Sequence, residues 1–211
     1  MSGVTEPELR HIGFQLAGVS REERQQVNSD VLGFWAFLMS DAVIFALLFS
    51  IYVTMLEATA GGPGGHQEFK FSSAFWETML LLTSSFAYGM ASVSARYARK
   101  DRWVLLWLAI TFGLGAGFLN MEAHDFISMF HDNAGPDRSG YLSSFFVLVG
   151  THGSHVLSGL LWILAMGVQI AMYGLDRRTR VNLVRLGLFW HFLDIVWVVI
   201  FSVVYLHGLI R

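Results

Sequence analysis

Two stretches of the chain hold side chains able to move protons, bind a metal or tie helices together: Thr151-His152-Gly153-Ser154-His155 and Phe189-Trp190-His191-Phe192-Leu193-Asp194. His152 and His155 are three residues apart, as are His191 and Asp194, so each pair shares one helical face. If those faces meet, one polar knot satisfies all four groups, and His155 or His191 then bonds Asp194 across the contact. Asp41 is a further ionisable group in apolar sequence, and it is either protonated or paired, because a charged Asp at a helix centre in lipid costs about 2.5–3.5 kcal/mol. Interhelical hydrogen bonding and proton relay both fit this inventory. Metal or haem ligation fits least: His-x-x-His on one helix gives two ligands, whereas haem needs axial ligands on opposite faces of its ring.

A second acidic group stands apart. Phe75-Trp76-Glu77-Thr78-Met79 places a carboxyl in apolar sequence with no Lys or Arg in any facing stretch, so desolvation favours its protonated form. It is expected to face a lipid-filled groove free of cations. There it either exchanges protons, meets a lipid headgroup, or is a protonated group bonded to a neighbouring hydroxyl or carbonyl. Glu122, His124 and Asp125 form a third polar group, expected at the outer interface and solvated.

Other chemistries are excluded by composition. The chain has no cysteine, which removes disulfides, thiolate-bound zinc, iron–sulfur clusters and cysteine nucleophiles. Its formal net charge is -2 and no basic patch is interleaved with aromatics, so nucleic acid is not a partner. Gly113-x-Gly115-x-Gly117 follows no strand, so no nucleotide loop is implied. No residue is assigned as catalytic, cofactor-binding or metal-ligating.

The elements that must position these groups are membrane spans. With 54% apolar and 14% charged residues in 211, the chain lies outside the range of soluble domains. Its charges gather in short segments, separated by apolar runs long enough to cross a hydrocarbon core of roughly 30 Å. The reading is an all-α, polytopic bundle of five transmembrane helices, at about 31–56, 73–97, 103–130, 141–173 and 187–209. Residues 1–30 form a polar cytoplasmic segment without the features of a secretory signal, and Ser29 or Asp30 is expected to cap the first helix. Ala60-Gly61-Gly62-Pro63-Gly64-Gly65 and Asn133 to Gly140 are turns.

Arg10, Arg21, Arg24, Arg96, Arg99, Lys100, Arg102, Arg177, Arg178, Arg180 and Arg185 fall on one side of these spans, and Lys70, Arg138 and Arg211 on the other. The positive-inside bias puts the first set in the cytoplasm, with the amino end inside and the carboxyl end outside. On this scale Asp41 and His152 lie near the midplane. His155, Asp194 and His191 are progressively further inward, and Glu77 is in the outer half. Small residues recur every fourth position at Ala87, Ala91 and Ala95, at Ala109, Gly113 and Gly117, and at Gly150, Ser154 and Ser158, which lets backbones approach closely. Trp35, Trp103, Trp107 and Trp190 near the inner side and Trp76 near the outer read as aromatic belts.

These motifs resemble a known family. Gly135-Pro136-Asp137-Arg138-Ser139-Gly140-Tyr141-Leu142-Ser143-Ser144-Phe145-Phe146, Gly150-Thr151-His152-Gly153-Ser154-His155-Val156 and Phe189-Trp190-His191-Phe192-Leu193-Asp194-Ile195-Val196-Trp197 resemble subunit III of the haem-copper terminal oxidases. So do Phe34-Trp35-Ala36-Phe37-Leu38-Met39-Ser40-Asp41 and Glu77-Thr78-Met79-Leu80-Leu81-Leu82-Thr83-Ser84-Ser85. Within that family, five spans look like the bacterial cytochrome bo ubiquinol oxidase version. The resemblance implies a non-catalytic subunit of a proton-pumping oxidase in the bacterial plasma membrane. Its partner, subunit I, would hold haem and copper, oxidise ubiquinol and reduce dioxygen. It also implies bound phospholipid, and it maps the family's buried acidic residue onto Glu77. The competing reading from the residues alone is an independent proton-coupled transporter using Asp41, His152, His155 and Asp194.

Overall fold

The computed structural model describes residues 21–58, 71–97, 101–131 and 135–206. The segment before Arg21, the Gly-Pro turn, Lys70, Arg99, Lys100 and the last five residues lie outside the described residues. Five long helices make up the described fold: α1 (Arg21–Thr54), α2 (Phe71–Tyr97), α3 (Asp101–His131), α4 (Gly140–Tyr173) and α5 (Arg177–Ile200). A π-helical turn, Phe201–Leu206, follows α5.

Each helix lies where the apolar pattern predicts, but α1 and α5 extend further at their amino-terminal ends than expected. α1 begins at Arg21 and runs through Ser29 and Asp30, so neither caps it. The Arg, Glu and Gln residues ahead of Val31 favour helix strongly enough to carry it past the apolar run. α5 likewise begins at Arg177, ten residues before the expected span. Between α4 and α5 the turn is short. Gly174 has φ 75°, a conformation that favours glycine, and its N–H donates to the Ile170 carbonyl at 2.9 Å, closing α4. At the other end of α4, Ser139 caps the helix, its Oγ accepting from the Leu142 N–H at 3.1 Å.

Four stretches are long and apolar enough to cross a membrane by length and composition: Val31–Thr54, Asp101–His131, Gly140–Tyr173 and Arg178–Val204. α2 falls short of that standard because Glu77 and a series of Ser and Thr residues dilute its apolar face. Several of those hydroxyls are satisfied within the helix. Thr78 Oγ1 donates to Ala74 O, Thr83 Oγ1 to Met79 O and Ser84 Oγ to Leu81 O, each at 2.7 Å, which for the buried Thr78 and Ser84 removes much of the cost of burial.

α2 packs on α3, α3 on α4, α4 on α5, and α5 returns to α2, closing a ring of four helices. α1 lies against α4 and α5. Trp190 of α5 locks the ring from inside. Its Nε1 donates to Ser84 Oγ of α2 at 3.1 Å, and its six-membered ring fills the space left by two missing side chains. A Cβ at Gly115 of α3 would come within 2.9 Å of that ring, and one at Gly159 of α4 within 3.0 Å. One indole thus touches the other three helices of the ring. Trp190 therefore belongs to the core and not to the aromatic belt, unlike Trp35, Trp76 and Trp103, which are exposed.

The small-residue stripes divide in the same way. Ala87, Ala91 and Ala95 are buried in the bundle, whereas Ala109, Gly113, Ser154 and Ser158 point outward. Close helix approach inside the ring instead uses Gly115, Gly153, Gly159 and Gly187.

Candidate functional site

His152 on α4 is fully buried among aromatic rings. The Trp197 ring lies 5.3 Å away at 30° and the Phe118 ring 5.9 Å away at 86°, centroid to centroid. Neither imidazole nitrogen has a hydrogen-bond partner. Trp197 is held by its own Nε1, which donates to Thr78 Oγ1 of α2 at 3.1 Å.

One helical turn beyond Phe118, α3 carries Glu122. It is not solvated as expected, being 5% exposed with both carboxyl oxygens unpartnered. Its carboxyl rests on Gly153: a Cβ there would stand 2.8 and 2.9 Å from Oε1 and Oε2. The residue after His152 is thus bare where Glu122 needs room. Glu77 of α2 is 1% exposed and so lies inside the bundle, not against a lipid-filled groove. It is within electrostatic reach of both Asp125 and Glu122. Toward the arginine-poor end, Asp125 accepts from Ser73 Oγ at 2.7 Å with its side chain 34% exposed, and His124 beside it is 80% exposed.

A second contact joins α1 to α4. His155 Nε2 lies 3.4 Å from Asp41 Oδ2, and His155 Nδ1 donates to the Thr151 carbonyl at 2.8 Å. A carbonyl only accepts, so Nδ1 carries a hydrogen. The Nε2–Oδ2 approach is of ion-pair length, and Asp41 Oδ2 has no hydrogen-bond partner among the described residues.

The third contact is on the α2–α5 side. His191 Nδ1 is 2.8 Å from Ser85 Oγ and 3.6 Å from Asp194 Oδ2. The His191–Asp194 approach therefore lies within α5 and does not cross to α4. His155 turns to Asp41 instead. The four residues expected to form one knot are distributed among separate contacts, because the α4 face bearing His155 packs on α1 while His152 points into the ring. Among the described residues, no group of three or more His, Asp or Glu stands in a metal-binding arrangement.

Over residues 24–209 the sequence matches the family described as cytochrome c oxidase subunit III. The chain belongs to that family. Cytochrome bo(3) ubiquinol oxidase subunit 3 of Pseudomonas aeruginosa is 47% identical over 178 residues, 84% of this chain and 85% of the relative. Cytochrome c oxidase subunit 3 of Bacillus sp. (strain PS3) is 42% identical over 197 residues, 92% of this chain and 93% of the relative. Quinol oxidase subunit 3 of Bacillus subtilis is 40% identical over 180 residues, 85% of this chain and 88% of the relative. The family is the non-catalytic subunit of haem-copper oxidases. With its four long apolar helices, this family member is a multi-pass membrane protein.

In this subunit III chain the Asp41–His155 contact has a measurable consequence. Polar pairs between helices in lipid contribute about 0.6 kcal/mol on average and up to about 1.7. Asp41→Asn and His155→Gln should each weaken the seat of α1, and together by less than the sum. A double-mutant cycle on thermal denaturation in detergent reads this coupling; strictly additive losses would show that the two side chains do not interact.

Proposed function

We propose that the chain is subunit III of a proton-pumping terminal ubiquinol oxidase in a bacterial plasma membrane. In such a complex the partner, subunit I, holds haem and copper, oxidises ubiquinol and reduces dioxygen to water. This chain supports assembly, lipid binding and stability of the complex. The observation that carries the reading is the family match from residue 24 to residue 209, which takes in every helix of the bundle. The bo(3) relative at 47% identity supports quinol as the electron donor.

The side chains support an accessory role as well. Each imidazole of the two sequence motifs is either engaged by a neighbouring group, as are His155 and His191, or enclosed by rings, as is His152. Five spans are proposed, with α2 as the polar one held inside by its partners, the amino end cytoplasmic and the carboxyl end periplasmic. The outward faces bearing Ala109 with Gly113 and Ser154 with Ser158 are smooth enough for close packing against subunit I. Phospholipid fills the remaining apolar surface. The transporter reading needs Asp41, His152, His155 and Asp194 on one path, whereas only Asp41 and His155 meet, His152 being enclosed by rings and Asp194 lying beside His191.

Purification from detergent-solubilised membranes tests the proposal. The chain should travel with haem-containing subunits that oxidise ubiquinol, and the separated chain should show neither haem absorbance nor quinol oxidation. A complex that oxidises cytochrome c and not ubiquinol would correct the donor. Haem bound to the isolated chain would end the accessory reading.

A further inference from the structure

We propose that Glu122 is the proton-sharing partner of Glu77, forming a buried acid pair that exchanges its proton with water at the arginine-poor end of the bundle through Asp125. The placement of four groups carries this. Glu77 of α2 and Glu122 of α3 are both buried, on two helices packed against each other. Asp125 lies one helical turn from Glu122 toward the arginine-poor end of α3, and Ser73 one turn from Glu77 in the same direction on α2. The Ser73–Asp125 hydrogen bond of 2.7 Å thus spans the same two helices one turn closer to water, and Asp125 is partly exposed.

Among the described residues the pair has no countercharge: α2 brings Arg96, α3 Arg102, and α5 Arg178, Arg180 and Arg185, all at the opposite end of the bundle. Arg138 lies in the exposed turn before α4, and His131 at the end of α3. Facing the pair from α4 is His152, through its neighbour Gly153, while His155 turns to Asp41 of α1. α5 presents Trp197, whose N–H is already given to Thr78. Two carboxylates this deep without a cation cannot both be ionised, and neither Glu122 oxygen finds a donor in the protein. A proton on one carboxyl supplies the donor that the other lacks.

His152 is the independent sign that the pair is more than two neutralised acids. It is fully buried, both its nitrogens are unpartnered, and the next residue is the glycine on which the Glu122 carboxyl rests. A neutral base therefore stands one step deeper than the acids. In the exchange, a hydrated proton adds to a carboxylate oxygen of Asp125 and passes to the pair. A water molecule is released, no other bond breaks and no electron moves.

Infrared spectroscopy of the purified complex, or of the chain alone if it purifies alone, tests this independently of the proposed function. The unmodified protein should show protonated-carboxyl C=O absorption that shifts in deuterium oxide. Glu77→Gln and Glu122→Gln should each remove part of it and displace what remains, because each carboxyl hydrogen-bonds the other. Asp125→Asn should slow the deuteration at least tenfold, equivalent to about 1.4 kcal/mol of barrier. Absence of a deuterium-sensitive band, a Glu122→Gln spectrum in which the Glu77 band is unmoved, or an unchanged deuteration rate in Asp125→Asn would each overturn the proposal. The unmodified protein and Asp125→Asn decide the matter where a glutamine variant does not assemble.

Discussion

Trp190→Ala is expected to destabilise the bundle by about 3 kcal/mol, the lower end of the range for emptying a buried tryptophan site. The lower end applies because lipid is as apolar as the core, so moving an indole out of the protein and into the bilayer forfeits little transfer energy. What is lost is dispersion contact and packing. Trp190 is 1% exposed, its ring lies over Gly115 and Gly159, and its N–H is given to Ser84, so α2, α3 and α4 all lose a neighbour at once. Neither glycine can refill the space. Trp103→Ala, at an exposed site, should change stability by no more than about 0.5 kcal/mol. Thermal denaturation of the detergent-solubilised complex, scored by retention of this chain, separates the two variants. Equal behaviour would mean that Trp190 does not hold the ring together.

Filling the glycines tests the same contact from the other direction. A side chain at Gly115 would meet Leu160 Cδ2 at 2.9 Å as well as the indole, in a place where three helices converge. Overpacking of this kind costs about 1–3 kcal/mol. The interior glycines thus act as spaces for particular aromatic groups, Tyr88 against Gly187 being another case.

The helices were legible in the sequence, because apolar runs bounded by charge clusters leave few alternatives. The amino-terminal ends of α1 and α5 were not, since Arg21–Gln26 and Arg177–Arg185 are helical without any apolar signal. The site was legible by residue type but not by partner. Depth along a span places His155 and Asp194 near one another, yet says nothing of which way each face turns, and α1 takes the His155 face. Glu122 is the instructive miss. The buried positions of α3 include Val104, Leu108, Thr111, Gly115, Phe118 and Glu122, alternating steps of four and three. That spacing is visible in the sequence and points Glu122 inward. Closeness to the helix end suggested water instead, and rotation about the helix axis outweighed depth.

Replacing Glu77 and Glu122 together with leucine is expected to stabilise the bundle, by about 1–3 kcal/mol. Each carboxyl is buried without a cation, and burying a polar group without full hydrogen bonding costs on the order of 1–3 kcal/mol by the measure of protein variants. A proton shared between the two recovers part of that cost but leaves other lone pairs unanswered, whereas two leucines leave nothing to answer. Replacing Glu122 alone should gain less, because Glu77 then keeps its buried carboxyl and loses the buried acid with which it shares a proton. Gly153 sets the limit on size, since any new side chain at 122 must lie flat against it. Thermal denaturation of the complex gives the sign. If the double variant is more stable while its exchangeable carboxyl band is gone, the acids are there for the proton they hold. If it is less stable, their role is to tie α2 to α3, and the proton is incidental to that packing.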